Sequence, residues 1–466
     1  MTPIWSDCRS ENPARVPVLA VLCAAGLLTI PSRPAASAQT IQDVIRIGPN
    51  VLVSGDLPDV PLAEAHLAVS PTEPGRMLAA AIVGGFTGCA LFASDDRGGS
   101  WSRVEIPWID GCGDPWLGFG PDGSAYLVVL DDASNAAVLR SPDSGRTWLG
   151  PVMVPGGPFD RPALVVDNTD GATSGTVYVG MYGPTKDRYG GYPIPVVFSR
   201  SGDGGESFSE PLPLLPTNLR YAFGTLAVLR DGSVIVNFNA YADPYTRRLL
   251  RVRQEFVARY DPAAHTFDRP SFVAEVSHFW GSLALAVDTS ASSAFRDRVY
   301  VAYGNTGLSQ KLPPLAKESL TPMPLGVFVR SSDAQGHSWS KPTVVSDGNM
   351  DPRQMTAAVN ADGVVAVAWN QPSDDDETCL EPWFSASLDG GETFLEPKKS
   401  PSTPSCPRVD VPGNIHKGFN VGERFPSGGD YMGLAAGHDG VFHLVWADSR
   451  NGLLQLWTAP IRVVGS

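Results

Sequence analysis

Ser141-Pro142-Asp143-Ser144-Gly145-Arg146-Thr147-Trp148 decides the fold, because it recurs. It reads S-x-D-x-G-x-[ST]-[WF]. Ser94 to Trp101 (SDDRGGSW), Ser201 to Phe208 (SGDGGESF) and Ser387 to Phe394 (SLDGGETF) are copies. Asp333 to Trp339 (DAQGHSW) carries one extra residue, and Asp261 to Phe267 (DPAAHTF) is a worn copy. The residue types suit a tight turn between two strands. Asp bonds nearby backbone N–H groups, Gly accepts positive φ, and Ser or Thr adds a local bond. The closing aromatic starts the next strand with a large apolar surface to bury. Turn chemistry already accounts for these aspartates, so they are read as scaffold and not as catalysts.

Between these turns runs a second repeat: a short apolar strand, a turn that is usually Asp-Gly, and another apolar strand. WLGFGPDGSAYLVVL from Trp116, TLAVLRDGSVIVNF from Thr225, TAAVNADGVVAVAW from Thr356 and GLAAGHDGVFHLVW from Gly433 are clear copies. Weaker ones begin at His66, Ala163 and Leu283, making seven. Asp-Gly between apolar runs signals a hairpin, and its repetition at a long period signals a propeller. Each unit reads strand, turn, strand, variable loop, strand, boxed turn, strand, which is one four-stranded blade. The prediction is an all-β propeller of seven blades, with six as the alternative. The last unit lacks the boxed turn. Its third strand is placed at Leu453 to Ile461, and a strand near Val44 to Val53 supplies the fourth and closes the ring.

The boxed turn is the Asp-box, or BNR repeat, and the chain resembles the sialidase-like β-propellers that carry it. The resemblance implies an exported glycoside hydrolase of exo-α-sialidase type acting on extracellular glycans. In that family three arginines clamp the substrate carboxylate, an Asp serves as acid, and a Tyr assisted by Glu attacks. Carried onto this chain, Tyr431 is the nucleophile and Glu423 its helper. Arg161, Arg353 and Arg424 form the clamp, while Asp114 and Asp160 compete for the acid role. The first repeat opens with Glu64-Ala65-His66, where the family has an early Arg-Ile-Pro. The alternative function is a non-catalytic module that binds glycan or protein through the same face.

Topology sorts the loops. Asp-Gly turns and boxed turns fall at one end, the bottom. The loops between strands two and three, and the links between blades, fall at the top and are the long, irregular ones. Function tends to sit on such loops. The start of each first strand lines the mouth of the axis there, placing Glu64, Asp114, Asp160, Arg161, His278, Trp280, Arg353, Asp430 and Tyr431 together. Opposed carboxylates beside arginines suit sugar binding or cleavage, and His278 with Trp280 offers an aromatic platform for a sugar ring.

The 466 residues are 43% hydrophobic and only 18% charged, with 48 Gly and 42 Pro, a balance that suits many short strands and turns. Arg9 and Arg15, an apolar run from Val16 to Ile30, and Ala36-Ser37-Ala38 read as a signal peptide over residues 1–38. The mature chain, 39–466, is expected to be secreted or periplasmic, monomeric and without a membrane span. Four cysteines remain in it, and top-loop topology favours Cys89–Cys112 and Cys379–Cys406 among three possible pairings. A net charge of −14 makes nucleic acid and anionic membranes poor partners. No cofactor is expected. Asp374-Asp375-Asp376-Glu377 offers oxygen ligands to Ca²⁺ but lacks the alternate spacing of a calcium loop, so a solvated acidic loop is the preferred reading. G-x-S-x-G, Walker and H-E-x-x-H motifs do not occur.

Overall fold

The computed structural model describes residues 44–84, 87–107, 109–183, 195–214, 221–242, 249–277, 283–305, 324–348, 350–376, 379–400, 403–406 and 428–465. These residues build seven antiparallel sheets. Blade 1 holds β3 (Leu62–Val69), β4 (Met77–Val83), β5 (Gly88–Ser94) and β6 (Ser102–Val104). Blade 2 holds β7 (Gly113–Phe119), β8 (Ala125–Leu130), β9 (Ala136–Ser141) and β10 (Leu149–Met153). Blade 3 holds β11 (Asp160–Val166), β12 (Val177–Tyr182), β13 (Val196–Ser201) and β14 (Leu212–Pro213). Blade 4 is β15 (Tyr221–Val228), β16 (Val234–Ala242), β17 (Leu249–Asp261), a two-residue β18 (Thr266–Phe267) and an outer β19 (Ser271–Val276). Blade 5 runs β20 (Leu283–Val287), β21 (Val299–Asn305), β22 (Gly326–Ser332) and β23 (Thr343–Asp347). Blade 6 runs β24 (Arg353–Val359), β25 (Val365–Pro372), β26 (Leu380–Ser387) and β27 (Lys398–Lys399).

Blade 7 joins the two ends of the chain. It contains β28 (Gly433–Ala436), β29 (Phe442–Asp448) and β30 (Gln455–Val463). Its fourth strand is β1 (Ile45–Ile47), and the short β2 (Val51–Leu52) also pairs with β30. Ile45 sits opposite Val463 and Ile47 opposite Ile461. The architecture is therefore the expected propeller closed by its N-terminal strand, with seven blades and not six. Closure leaves only short sheet edges.

The second strands explain the apolar runs in the sequence. Each is covered by a neighbouring blade on both faces, so it reads as continuous Val, Ala and Leu without alternation. β8 (AYLVVL) and β12 (VYVGMY) are buried along their whole length. Fourth strands, at the rim, are short and open, as in β10. The core is a series of inter-blade layers; Leu78, Leu91, Leu117, Leu127, Leu139 and Trp148 fill that between blades 1 and 2.

The four intact S-x-D-x-G-x-[ST] turns share one hydrogen-bond pattern. In blade 2, Ser141 Oγ accepts from Gly145 N at 2.7 Å, and Asp143 accepts from Thr147 N at 2.8 Å and Thr147 Oγ at 2.6 Å. Gly145 has φ +82°, and a Cβ there would fall 2.6 Å from Leu78 of the previous blade. These turns and the strand 1–2 turns meet at one end, as Arg97 N donating to Gly75 O at 3.0 Å shows for blade 1. Both expected disulfides form, Cys89–Cys112 and Cys379–Cys406, with Cα atoms 5.4 and 4.2 Å apart. Asp374 to Asp376 lie exposed on a turn where Asp376 O accepts from Cys379 N at 2.9 Å.

Candidate functional site

The innermost strands carry a shared irregularity at the end opposite the boxed turns. In β3, β7, β11 and β24 the ladder skips: Ala63 to His66, Gly113 to Trp116, Asp160 to Ala163 and Arg353 to Thr356. Each skip is a β-bulge, two residues opposing one. Its first residue is Glu64, Asp114, Arg161 or Gln354, with φ of 58°, 48°, 49° and 52°. Glycine is the residue that ordinarily takes this left-handed conformation in a bulge. A side chain with a Cβ costs about 1–2 kcal/mol there. Four bulky polar residues accept that strain at equivalent positions around one mouth. Bulges re-aim side chains, and strain of this kind gathers at functional sites.

The re-aimed groups converge across blades 7, 1, 2 and 3. Arg161 N donates to Asp114 Oδ2 at 3.1 Å, and Asp430 N donates to Glu64 Oε1 at 3.3 Å. Burial works against the charge on Arg161, but Asp430, Tyr182, Asp114 and Glu64 together raise its pKa above the ordinary value. Tyr431 sits in the same field. Burial, then Glu64 and Asp114, push its phenol well above the usual range, and its Oη reaches Pro115 O at 3.3 Å. Tyr182 Oη donates to Asp160 Oδ2 at 2.5 Å, and burial followed by Asp160 holds its proton firmly. Glu64, Asp430, Tyr431 and Tyr182 are buried, while Asp114, Asp160 and Arg161 are half-buried and form the accessible layer.

An aromatic wall borders these groups. His66 stacks on Trp116 with ring centroids 4.0 Å apart, and Trp116 meets Tyr431 at 5.5 Å. His66 Nδ1 accepts from Leu117 N at 3.1 Å, and burial lowers its pKa to about 3, so the ring is neutral with Nε2 as the donor. Blade 6 supports the arc from behind: Gln354 Nε2 donates to Gly429 O at 2.9 Å, and Asn370 Nδ2 to Gln354 Oε1 at 2.5 Å. Gly429 has φ +99°, and any Cβ there would lie 2.2 Å from Glu64 Cγ, so the close approach of blades 7 and 1 requires glycine.

Asp114, Asp160, Arg161 and Tyr431 are thus brought to one mouth. Arg353 is at the equivalent end of blade 6, where its Nη2 and Nε bond Asp351 Oδ2 at 2.5 and 2.8 Å. Glu423, Arg424, His278 and Trp280 lie outside the described residues. His66, Trp116 and Tyr182 received no chemical role from the sequence, and Glu64 only a place in the charged set at the mouth. Glu64 is signalled by its equivalence to Asp114 and Arg161 in the aligned repeats, whereas Tyr182 ends an apolar strand and carries no signal. Among the described residues no cluster of three or more His, Cys, Asp or Glu has metal-binding geometry. Nor is any helix there long and apolar enough to cross a membrane.

In chemical terms the mouth offers, among the described residues, carboxylates that can accept from hydroxyls, the Arg161 guanidinium and the aromatic face of Trp116. No known protein family matches the chain, and no curated protein matches it. Solved structures do. An ulvan lyase from a new family of polysaccharide lyases, bound to -[GlcA(1-4)Rha3S]-, aligns over 86% of this chain and 93% of its own, with 11% identity and a TM-score of 0.51. A protein of unknown function from Dyadobacter fermentans aligns over 90% of this chain and 100% of its own, at 13% identity and a TM-score of 0.45. A Hadza microbial sialidase covers 82% of this chain and 73% of its own, at 14% identity and a TM-score of 0.45. At these identities the likeness is one of fold, that of the β-propeller.

Proposed function

We propose that the chain is an exported glycan-acting enzyme, a glycoside hydrolase of sialidase-like type, working at the top mouth. One observation carries the reading: Arg161 converges there with Asp114, Glu64, Asp430 and Tyr431 from four successive blades. Polysaccharide enzymes are built on this fold, the ulvan lyase among them. Arg161 receives an anionic group or ring oxygen of the sugar. Asp160, hydrogen-bonded by the Tyr182 phenol, stabilises positive charge growing at the anomeric carbon, while Asp114 gives a proton to the leaving oxygen. Tyr431 attacks the anomeric carbon as its own proton passes to Glu64; water then displaces the tyrosyl oxygen, Asp114 taking water's proton and Glu64 returning its own to Tyr431. Two disulfides suit an oxidising compartment outside the cytoplasm.

The test is turnover of fluorogenic glycosides, sialosides first, by the purified protein. Tyr431→Phe and Asp160→Asn are each expected to lower kcat/KM by about 100-fold or more. Full activity in both variants overturns the assignment. A second reading, glycan binding without turnover, is favoured by the Tyr431 hydroxyl already being committed to Pro115 O. Saturable glycan binding that Arg161→Ala abolishes, with no turnover of any glycoside, decides for it.

A further inference from the structure

The bottom end contains a second polar constellation, between blades 3 and 4. A cleft with a volume of 160 Å³ is lined by Phe198, Arg200, Ser209, Leu212, Tyr260 and His265. The repeat supplies an internal control for it. In the preceding blade pair, Arg140 near the end of β9 reaches the boxed turn of blade 3 and bonds Glu206 Oε1 at 2.9 Å. Arg200 holds the equivalent place at the end of β13. Glu206 stands two residues before Phe208, and His265 stands two before Phe267 in the worn turn of blade 4. The carboxylate that answers the arginine in one pair is therefore an imidazole in the next.

The consequence is an unmatched cation. Arg200 Nη2 meets His265 Nε2 at 3.1 Å, and Tyr260 Oη meets His265 Nδ1 at 3.1 Å. Arginine has no acceptor, so Nε2 must accept and Nδ1 carries the proton toward Tyr260. Among the described residues Arg200 has no carboxylate partner, although the chain as a whole is strongly acidic. Its guanidinium meets an imidazole nitrogen where Arg140 meets a carboxylate. His265 itself lies in the turn with φ +57°. Phe198 and Tyr260, 4.6 Å apart, form a dry floor, and Leu212, 36% exposed, forms an apolar lip.

We propose that this cleft is a second binding site, distinct from the mouth, for a small oxyanion carried on a sugar: the carboxylate of a sugar acid, or a sulfate ester. The oxyanion takes the place Glu206 holds against Arg140, pairing with Arg200, while the Ser209 hydroxyl donates to it and Leu212 covers the sugar's C–H face. A glycan chain held there is anchored at the end of the propeller away from the mouth.

The test follows the His265 Cε1–H resonance of the full mature protein during titration with galacturonate, with acetate and with inorganic sulfate. A saturable shift is expected with galacturonate and sulfate, and a weaker one with acetate, which lacks the ring. Calorimetry in the Arg161→Ala background, where the mouth does not contribute, should show galacturonate binding fall at least tenfold with Arg200→Ala. His265→Glu, which restores the Arg140–Glu206 arrangement with an internal carboxylate, should do the same while keeping the near-ultraviolet circular dichroism of the folded protein. Leu212→Ala should weaken galacturonate and leave sulfate unchanged. An unmoved His265 resonance, or His265→Glu binding as tightly as its parent, overturns the site. Neither result depends on whether the mouth is catalytic.

Discussion

Asp143 and Glu255 show how far a single carboxyl can be driven in opposite directions by what surrounds it. Asp143 accepts from the Thr147 amide and hydroxyl; slight burial opposes ionisation, but these donors and Ser141 hold it at about 2. Asp203 is held at about 2 by Ser201 and Ser207. Both folded values lie below the ordinary 3.8, so the stability they contribute is complete above that pH and is lost as pH falls toward 2. Asp143→Ala is expected to destabilise the fold by about 1–2 kcal/mol near neutrality, measured by urea denaturation. It should also flatten the fall of Tm between pH 4 and 2. Glu255 is the reverse case. It lies on β17, fully buried; burial pushes its pKa well up, against the pull of Asn237 and Arg253. Its folded value exceeds its unfolded one, so its contribution is complete below 4.5 and fades as pH rises toward the folded value. Glu255→Gln should therefore raise Tm at pH 8 and change it little at pH 4. Asp143 was readable in the sequence, because its turn chemistry is local and recurs. Glu255 was not: L-L-R-V-R-Q-E-F looks like a strand with one wet face, and only the packing of blade 5 against it reveals that the face is dry.

Elements in this fold are tied to their neighbours by a few repeated devices. Arg298, at the start of β21, bonds Asp333 of its own blade and reaches Gly390 O and Glu392 of the next, at 2.6, 2.7 and 3.2 Å. Arg76 does the same for blades 1 and 2, donating to Asp95 and to Ser144 O. The disulfides act at the opposite end. Cys379–Cys406 fastens β26 to the segment leading toward blade 7, where Ser405 also accepts from Ser449 N at 2.9 Å. Its span of 27 residues gives a loop-entropy contribution of about 3.5 kcal/mol. The Cys379→Ser, Cys406→Ser double variant is expected to lose about that much in equilibrium denaturation under oxidising conditions, with no such loss when both proteins are reduced. Cysteine spacing and loop topology carried the pairing at the sequence level. The bulges did not show themselves there, because Glu64, Asp114, Arg161 and Gln354 look like ordinary polar residues at a strand's start, and their left-handed backbone has no residue-type signature once glycine is absent.

At the scale of the molecule, the seven-unit repeat was legible because each hairpin announces itself, and so was the strand that completes blade 7. The mouth was legible in part. Its accessible members sit at fixed offsets before each first strand, but convergence of blades 7, 1, 2 and 3 on Arg161 depends on ring geometry that no linear spacing expresses. Ring closure itself is testable through Ile45, which is 5% exposed and packs with Phe442, Leu444 and Ile461. Ile45→Ala should lower stability by about 2–4 kcal/mol, followed by calorimetry, and should increase self-association through the loosened edge of β30, seen by light scattering.

Because Ile45 pairs with Val463, the first strand made must wait for the last before the circle can shut. Until then the nascent polypeptide carries an open sheet edge at each extremity, each the natural complement of the other and of any second copy nearby. Crowding among incomplete circles would thus be the main hazard of assembly.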